Sequence, residues 1–544
     1  MLSLVVTAIS VLIPRMSQTL VDKGLIGMSP EITTKLSIII VAVCILQNTV
    51  LAVQSWIHVG IENDIYDRLS KQCVIKMAKL KMMYFETNEN LEKIVATNGY
   101  IHNISGIASE QFLGVLAQLV KLAGGVVGLL YINPLLSIFI LIIAGIRYYL
   151  MNRTKSDREK LYDECRKINN EYSVWFTDFI NGIRTIKLWN IPKDKERNDI
   201  LDRQISNQKK IYRVDIIEKL LSDALYPILT YGLYLLGFIF ITKGQLTIGG
   251  LFAYIMYADL VISPVFYLIM LHSKILSLKP AIEGYNEFLD LDCELSGLVS
   301  SAVEQVNEII FDNVTWECGS KKILSNVSLE IKIGEKIGIV GLNGSGKSSL
   351  LDILLRLKEP TSGHVLLNGT NISQYEIESY RRLFSVIDQN TFLFDGTVKD
   401  NLFLDKKAPP EAKSLEIMNW FIDNVLHLKY GLNTQTGQKG MLLSGGEKQK
   451  IALLRSALKQ NSHVLILDEA TASYDLESER IVNEFLIENE NYDILIMVTH
   501  RPDILSSLDK VIIIEDGHVI SIGSYESQKK QYADFFNYNK EAVL

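Results

Sequence analysis

The stretch Lys336-Ile-Gly-Ile-Val340-Gly341-Leu-Asn-Gly-Ser-Gly346-Lys347-Ser348-Ser349 decides the fold of the C-terminal half. Lys336 to Val340 reads as a buried strand, and an apolar helical run from Leu350 to Leu357 follows the loop. Gly341, Gly346, Lys347 and Ser348 meet the GxxxxGK[ST] spacing where that loop has to sit, between strand and helix. Glycines let the backbone N–H groups wrap a phosphate chain, and the helix N-terminus adds positive potential. Lys347 is placed to reach the outer phosphates, and the Ser348 hydroxyl to meet Mg²⁺. Asn343, Gly344, Ser345 and Ser349 complete the loop and are expected to face the nucleotide. This motif alone specifies nucleotide binding and no more.

Three further elements lie downstream. His463-Val-Leu-Ile-Leu467 is a buried strand that ends in Asp468-Glu469. A carboxylate there can hold a metal's water shell, and a second, adjacent one can polarise an attacking water. Ile494 to Val498 is another buried strand, ending at Thr499-His500, where the imidazole is in position for the γ-phosphate region. Between the loop and these strands lies Leu443-Ser444-Gly445-Gly446-Glu447.

Upstream of about Asn307 the texture is different. Stretches at Leu36–Ile57, Phe112–Ile132, Leu135–Leu150, Leu220–Ile241 and Ile248–Leu271 come near or reach the ~20 apolar residues that span a bilayer. A shorter run, Leu2–Ile13, is extendable towards Val21. Asn133-Pro134 marks a tight reversal at the membrane surface. The basic residues Arg68, Lys71, Lys76, Lys79, Lys81 and Lys93, and many more from Arg153 through Arg213, fall in two long connections, which the positive-inside tendency makes cytoplasmic.

The 544 residues suffice for two domains, and nearly half are apolar. The net charge of −7 excludes the basic excess that nucleic-acid binding favours. Five scattered cysteines with no CxxC pair argue against a disulfide framework or a zinc site.

With the LSGG-type segment in place, the C-terminal half resembles the nucleotide-binding domain of ATP-binding cassette (ABC) transporters, and the whole chain resembles an exporter-type half-transporter. The resemblance implies a six-span helical membrane domain over 1–290, a linker at 291–306, and an α/β P-loop domain with a helical subdomain over 307–544. It implies that Gln389, in Ser385-Val-Ile-Asp-Gln389, senses Mg²⁺, with Ser348 and Asp468 as the other metal residues. Glu469 is implied as general base, with His500 beside the γ-phosphate. Ser444, Gly445 and Gly446 would contact ATP held by the opposite subunit, and Asp475, in Ala472-Ser-Tyr-Asp475, matches the D-loop. One chain holds one phosphate loop and one signature, so the resemblance implies ATP, Mg²⁺ and a second half-transporter as partners, a homodimer before a heterodimer. It further implies a multi-pass protein of a bacterial plasma membrane, bathed in lipid, with its nucleotide-binding domain cytoplasmic and no nucleic-acid partner. Fusion of the two domains favours export; uptake on the same fold is the alternative.

Tyr84-Phe85-Glu86 and Glu171 through Gly182-Ile-Arg-Thr-Ile-Lys187 resemble the family's two cytoplasmic coupling segments. Two positions depart from the family. Cys318 stands where an aromatic stacks on adenine, with Trp316 two residues earlier filling a buried aromatic position. Gln438 replaces the acid of the TxVGExG segment. Met1 opens inside apolar sequence where the family has a cytoplasmic elbow, so the start is expected upstream. For cargo, Asp259 in the middle of the last span is the first candidate, with Tyr257 and Tyr231 as aromatic wall. Such a pocket suits an amphipathic drug, peptide or lipid.

Overall fold

The computed structural model describes residues 2–191, 194–299, 303–389, 391–404, 412–426, 428–468, 481–482, 486–487, 492–499 and 501–536. Contacts divide the chain into two units: Met1–Ala78 with Glu92–Leu291, and Lys79–Leu91 with Asp292–Leu544.

Helices make up the N-terminal half: α1 (Leu2–Thr19), α2 (Pro30–Met77), short α3 (Met83–Glu86), α4 (Asn88–Ile132), α5 (Pro134–Asn181), short α6 (Ile183–Trp189), α7 (Asp194–Thr242) and α8 (Ile248–Asp290). Stretches within Pro30–Met77, Gly114–Ile132 and Ile248–Val265 are long and apolar enough to cross a membrane, and Pro134–Ile146 and Pro227–Thr242 are apolar but shorter. With α1 they supply the six expected helices. The apolar stretch of α2 has none of its residues buried within the chain, which is the condition of a helix that meets lipid or a second chain. The α4–α5 reversal falls on Asn133: its side-chain oxygen accepts from the N–H groups of Leu135 and Leu136, at 3.0 and 3.2 Å. Pro134 takes the first helical position, where a missing N–H costs nothing.

Parts of α4, α5, α7 and α8 pack around Leu129, Leu136, Ile140, Leu233 and Tyr254. Gly128 allows the close approach of α8, since a Cβ there would lie 2.4 Å from the Tyr257 ring. Apolar surroundings force polar groups to pair internally. Tyr254 donates to Ser137 Oγ at 3.1 Å and Tyr257 to the Val11 carbonyl at 3.0 Å.

In the second unit two sheets stack on a shared core. The strands are β1 (Glu308–Cys318), β2 (Lys321–Lys332), β3 (Lys336–Val340), β4 (Ser362–Leu367), β5 (Thr370–Asn371), β6 (Phe384–Ile387), β7 (Val464–Asp468), β8 (Ile494–Val498), β9 (Lys510–Glu515) and β10 (His518–Gly523). One sheet runs β2-β1-β4-β5 and is antiparallel; the other runs β10-β9-β3-β8-β7-β6, parallel from β9 to β6. All five residues of β8 are buried, as are Val464–Leu467 of β7, which is why both read as unbroken apolar runs. Helices of this unit include α9 (Lys347–Leu354), α10 (Ile377–Arg382), α11 (Val398–Leu402), α12 (Ala412–Asn424) and α13 (Gly445–Ala457). Residues after α8 are tied to this unit: the Glu294 carboxylate takes both arms of Arg381 at 2.7 and 2.9 Å, and Gly297 N–H donates to the Tyr375 carbonyl at 3.0 Å.

Candidate functional site

Strand register gathers the site at one edge of the parallel sheet. Val498 of β8 lies opposite both Ile339 of β3 and Asp468 of β7, so three adjacent strands end in line. Ligands of open parallel sheets bind outside such carboxyl ends. From β3 the chain enters the Gly341–Lys347 loop, β7 delivers Asp468, and β6, beside β7, leads into exposed Gln389. Glu469, Asp475 and His500 lie outside the described residues; Asp468 and Thr499 are the described residues that precede the first and the last of them.

Gly346 adopts φ +105°, and a Cβ there would meet Leu324 of β2 at 2.7 Å. The loop can therefore close only with glycine at this position. Lys347 is buried and donates to the Gly341 and Leu342 carbonyls at 2.7 and 3.0 Å. Ser345 Oγ is buried without a hydrogen-bond partner among the described residues, an orphan that a phosphate oxygen can satisfy. Ser348 Oγ donates to Asp468 Oδ2 at 3.2 Å. These two all-oxygen side chains, brought together from α9 and β7, fit the preference of Mg²⁺ for hard donors.

Ser444 caps α13. Its hydroxyl accepts from Glu447 N–H at 3.3 Å, while the Glu447 carboxylate accepts from Ser444 N–H and Oγ–H, both at 2.7 Å. Ser444 and Gly445 are exposed, and a Cβ at Gly445 would meet nothing within 4 Å. The helix N-terminus, carrying Gly446 in its first turn, is thus open to solvent, the condition under which such a terminus can receive an anion. The same helix is bonded to the strand that leads to Gln389. Ser385 Oγ donates to the Ser456 carbonyl at 2.9 Å, Ser456 Oγ to Val386 O at 3.2 Å, and Arg455 to Phe392 O at 3.2 Å. Gln438 opens a 3₁₀ turn, Gln438–Gly440, shortly before this helix.

Cys318 ends β1 and is exposed, opposite Lys321 at the head of β2. Because Ile323 and Leu324 of β2 back Gly346, this hairpin end borders the phosphate loop. Trp316 packs against the core, and the Lys358 ammonium lies 4.7 Å above its ring, so one aromatic face is covered by a cation.

Lys358 is a residue that sequence reasoning missed. Its ammonium is 2.9 Å from Asp352 Oδ2 on α9 and 3.3 Å from Glu86 Oε1 of α3. Burial works to lower its pKa, but Asp352 and Glu86 together hold the ammonium above the usual lysine range. Lys81 adds a contact to Glu359 at 3.6 Å, and the Lys79 carbonyl accepts from Glu294 N–H at 2.8 Å. Nothing in Arg356-Leu-Lys-Glu-Pro360 marks Lys358, because Glu86 and the Trp316 ring reach it from distant parts of the chain.

Of the three candidate cargo residues, Asp259 lines a cavity together with Ser10, Gln47 and Thr230, and Tyr257 and Tyr231 are not on that wall. Tyr257 is buried with its hydroxyl bound to Val11, and Tyr231 is exposed on α7 beside Tyr234, ring centroids 6.2 Å apart.

Comparison with known proteins extends this geometry. Residues 324–472 match the family described as ABC transporter, and residues 1–265 match the ABC transporter transmembrane region. A Bacillus subtilis protein named as a multidrug export ATP-binding/permease protein is 33% identical over 315 residues, covering 55% of this chain and 54% of that protein. A Staphylococcus aureus protein of the same name is 27% identical over 379 residues, covering 67% of this chain and 64% of its own. The match thus spans less than two thirds of either relative's length. A solved bacterial Atm1-family ABC exporter with ATP bound superposes with a TM-score of 0.82 at 20% identity, covering all of this chain and 97% of that one, and so shares the fold.

Proposed function

The chain belongs to the ABC transporter family, and we propose that it is one half of a dimeric exporter that hydrolyses ATP to move an amphipathic small molecule, peptide or lipid out across a bacterial plasma membrane. The observation that carries this reading is the pairing of a phosphate loop closed at the sheet edge with a signature helix whose N-terminus is open, in a chain that also carries membrane helices. A closed loop needs a second surface over its nucleotide, and an open helix N-terminus needs an anion. Two copies placed head to tail satisfy both needs twice. A homodimer meets this with one gene product.

In this reading the loop amides and Lys347 bind the phosphates of ATP, and Ser345 adds its unpartnered hydroxyl. Ser348 and Asp468, with Gln389, would hold Mg²⁺, which when bound neutralises charge on the β- and γ-phosphates. Glu469 takes a proton from the attacking water, and His500 steadies the γ-phosphate oxygens. Ser444, Gly445 and Gly446 of one protomer meet the nucleotide of the other, with Asp475 at the seam. Residues 1–290 serve as the membrane domain, 291–306 as the linker and 307–544 as the cytoplasmic cassette.

The test is ATPase activity of the purified protein in lipid, wild type against Glu469→Gln. Turnover by the protein alone that vanishes in the variant supports a catalytic homodimer. Equal turnover in both removes Glu469 from the chemistry, and silence in both points to an obligatory different partner.

A further inference from the structure

Resting on that reading, we propose that the chain carries a charge-selective cargo site, built around Asp259, that takes amphipathic organic cations and rejects anions of the same shape. A cavity of about 370 Å³ lies within the membrane unit, lined by residues of α1, α2, α7 and α8. Its volume falls in the range of roughly 300–1,000 Å³ typical of small-molecule pockets. The wall is mostly apolar, including Leu233 and Met256, and its polar groups are Ser10, Gln47, Thr230 and Asp259. Each of these four comes from a different helix, so they converge on one space rather than lining one helix face.

Asp259 is the only ionisable residue on that wall. It sits eleven residues into α8, about 16 Å along the axis at 1.5 Å per residue, near the middle of a bilayer core of about 30 Å. No ion-pair partner lies within 4 Å of it among the described residues. The nearest cation along α1 is Arg15, next to the cavity residue Pro14. Its guanidinium lies 4.8 Å above the Tyr131 ring of α4 and donates to that hydroxyl at 3.3 Å, and it is not part of the wall. Asp259 is itself exposed on this wall, as an acid at this depth has to be to face a cavity or a partner, so its carboxylate is open to pair with a cationic ligand that enters. The apolar remainder supplies most of the contact area, so the ligand has to present hydrophobic surface around its charge. The three hydrogen-bonding groups orient it without discriminating its sign.

A matched pair of probes separates charge from shape: tetraphenylphosphonium and tetraphenylborate, whose outlines are nearly identical. Binding of each to the full-length protein in nanodiscs would be measured for wild type, Asp259→Asn, Asp259→Glu and Asp259→Lys, with ATPase recorded in parallel. The proposal expects saturable phosphonium binding to wild type, weakened at least tenfold in Asp259→Asn and retained in Asp259→Glu. Asp259→Lys is expected to reverse the preference towards the borate. Phosphonium binding that is equal in wild type and Asp259→Asn, or a preference that Asp259→Lys leaves unreversed while the borate still binds, overturns it. Wild-type ATPase without charge preference would reject this site and leave the transporter reading standing, whereas absence of ATPase strikes at the homodimer in that reading rather than at the site.

Discussion

The cassette and the membrane unit solve opposite problems. In the cassette, polar groups with chemical roles sit at the rim of a core sealed by buried strands, and their spacing is set by backbone geometry: a positive-φ Gly346, a capped α13, three strands ending in register. In the membrane unit many apolar side chains face outward; Ile38, Trp56, Leu141 and Phe238 are all exposed within this chain. There the surroundings impose only hydropathy and small residues at close crossings, which many sequences satisfy. A chemical role is thus written residue by residue in one region and by a single out-of-place charge in the other.

The largest test of that contrast is Lys347→Ala. It is expected to lower ATPase by about 10²–10⁴-fold whatever cargo is offered, the scale of losing a group that acts on the reacting phosphates. Retained turnover would detach the phosphate loop from the chemistry. Next in size is the Lys358 cluster. Lys358→Met leaves Asp352 and Glu86 without their shared cation and should destabilise the cassette by about 2 kcal/mol, read as a lower denaturation midpoint. In a double-mutant cycle with Glu86→Gln the two effects should be non-additive by about 0.5–1 kcal/mol. Strict additivity would mean that α3 is not held by this lysine.

Cys318→Tyr comes third. An aromatic at the hairpin end bordering the phosphate loop should tighten ATP binding by about 1–2 kcal/mol, roughly 5- to 30-fold in Kd. An unchanged Kd shows that stacking is supplied elsewhere. The smallest effect belongs to Tyr257→Phe, which deletes the hydroxyl bound to Val11 and should cost about 1 kcal/mol of stability while leaving cargo affinity in place. Loss of cargo binding without loss of stability would return Tyr257 to the pocket.

The same contrast explains what could be read from residues alone. The strand at Lys336–Val340 and the glycine loop through Ser348 were legible because each local conformation admits few residue types. The Asn133-Pro134 reversal was legible for the same reason. Lys358 was not, since its meaning lies in three partners from separate segments. Asp259 stood out as a charge among apolar residues, yet its companions did not: as aromatic residues of the last two spans Tyr257 and Tyr231 had equal standing, whereas packing bonds one hydroxyl to α1 and leaves the other ring off the wall that Asp259 lines. The polar wall of Ser10, Gln47 and Thr230 is assembled by helix packing, which no local pattern encodes.

The most direct test of the head-to-tail arrangement is complementation between two disabled chains, Lys347→Ala and Ser444→Arg, co-expressed with different tags and purified through both into lipid. Each variant alone should be inactive, because both of its sites carry the defect. The mixed dimer places both defects in one site and leaves the other intact, so the account predicts that ATPase returns, up to one site's worth. A doubly tagged dimer as inactive as its parents, or a Ser444→Arg homodimer that hydrolyses ATP at the wild-type rate, would contradict it.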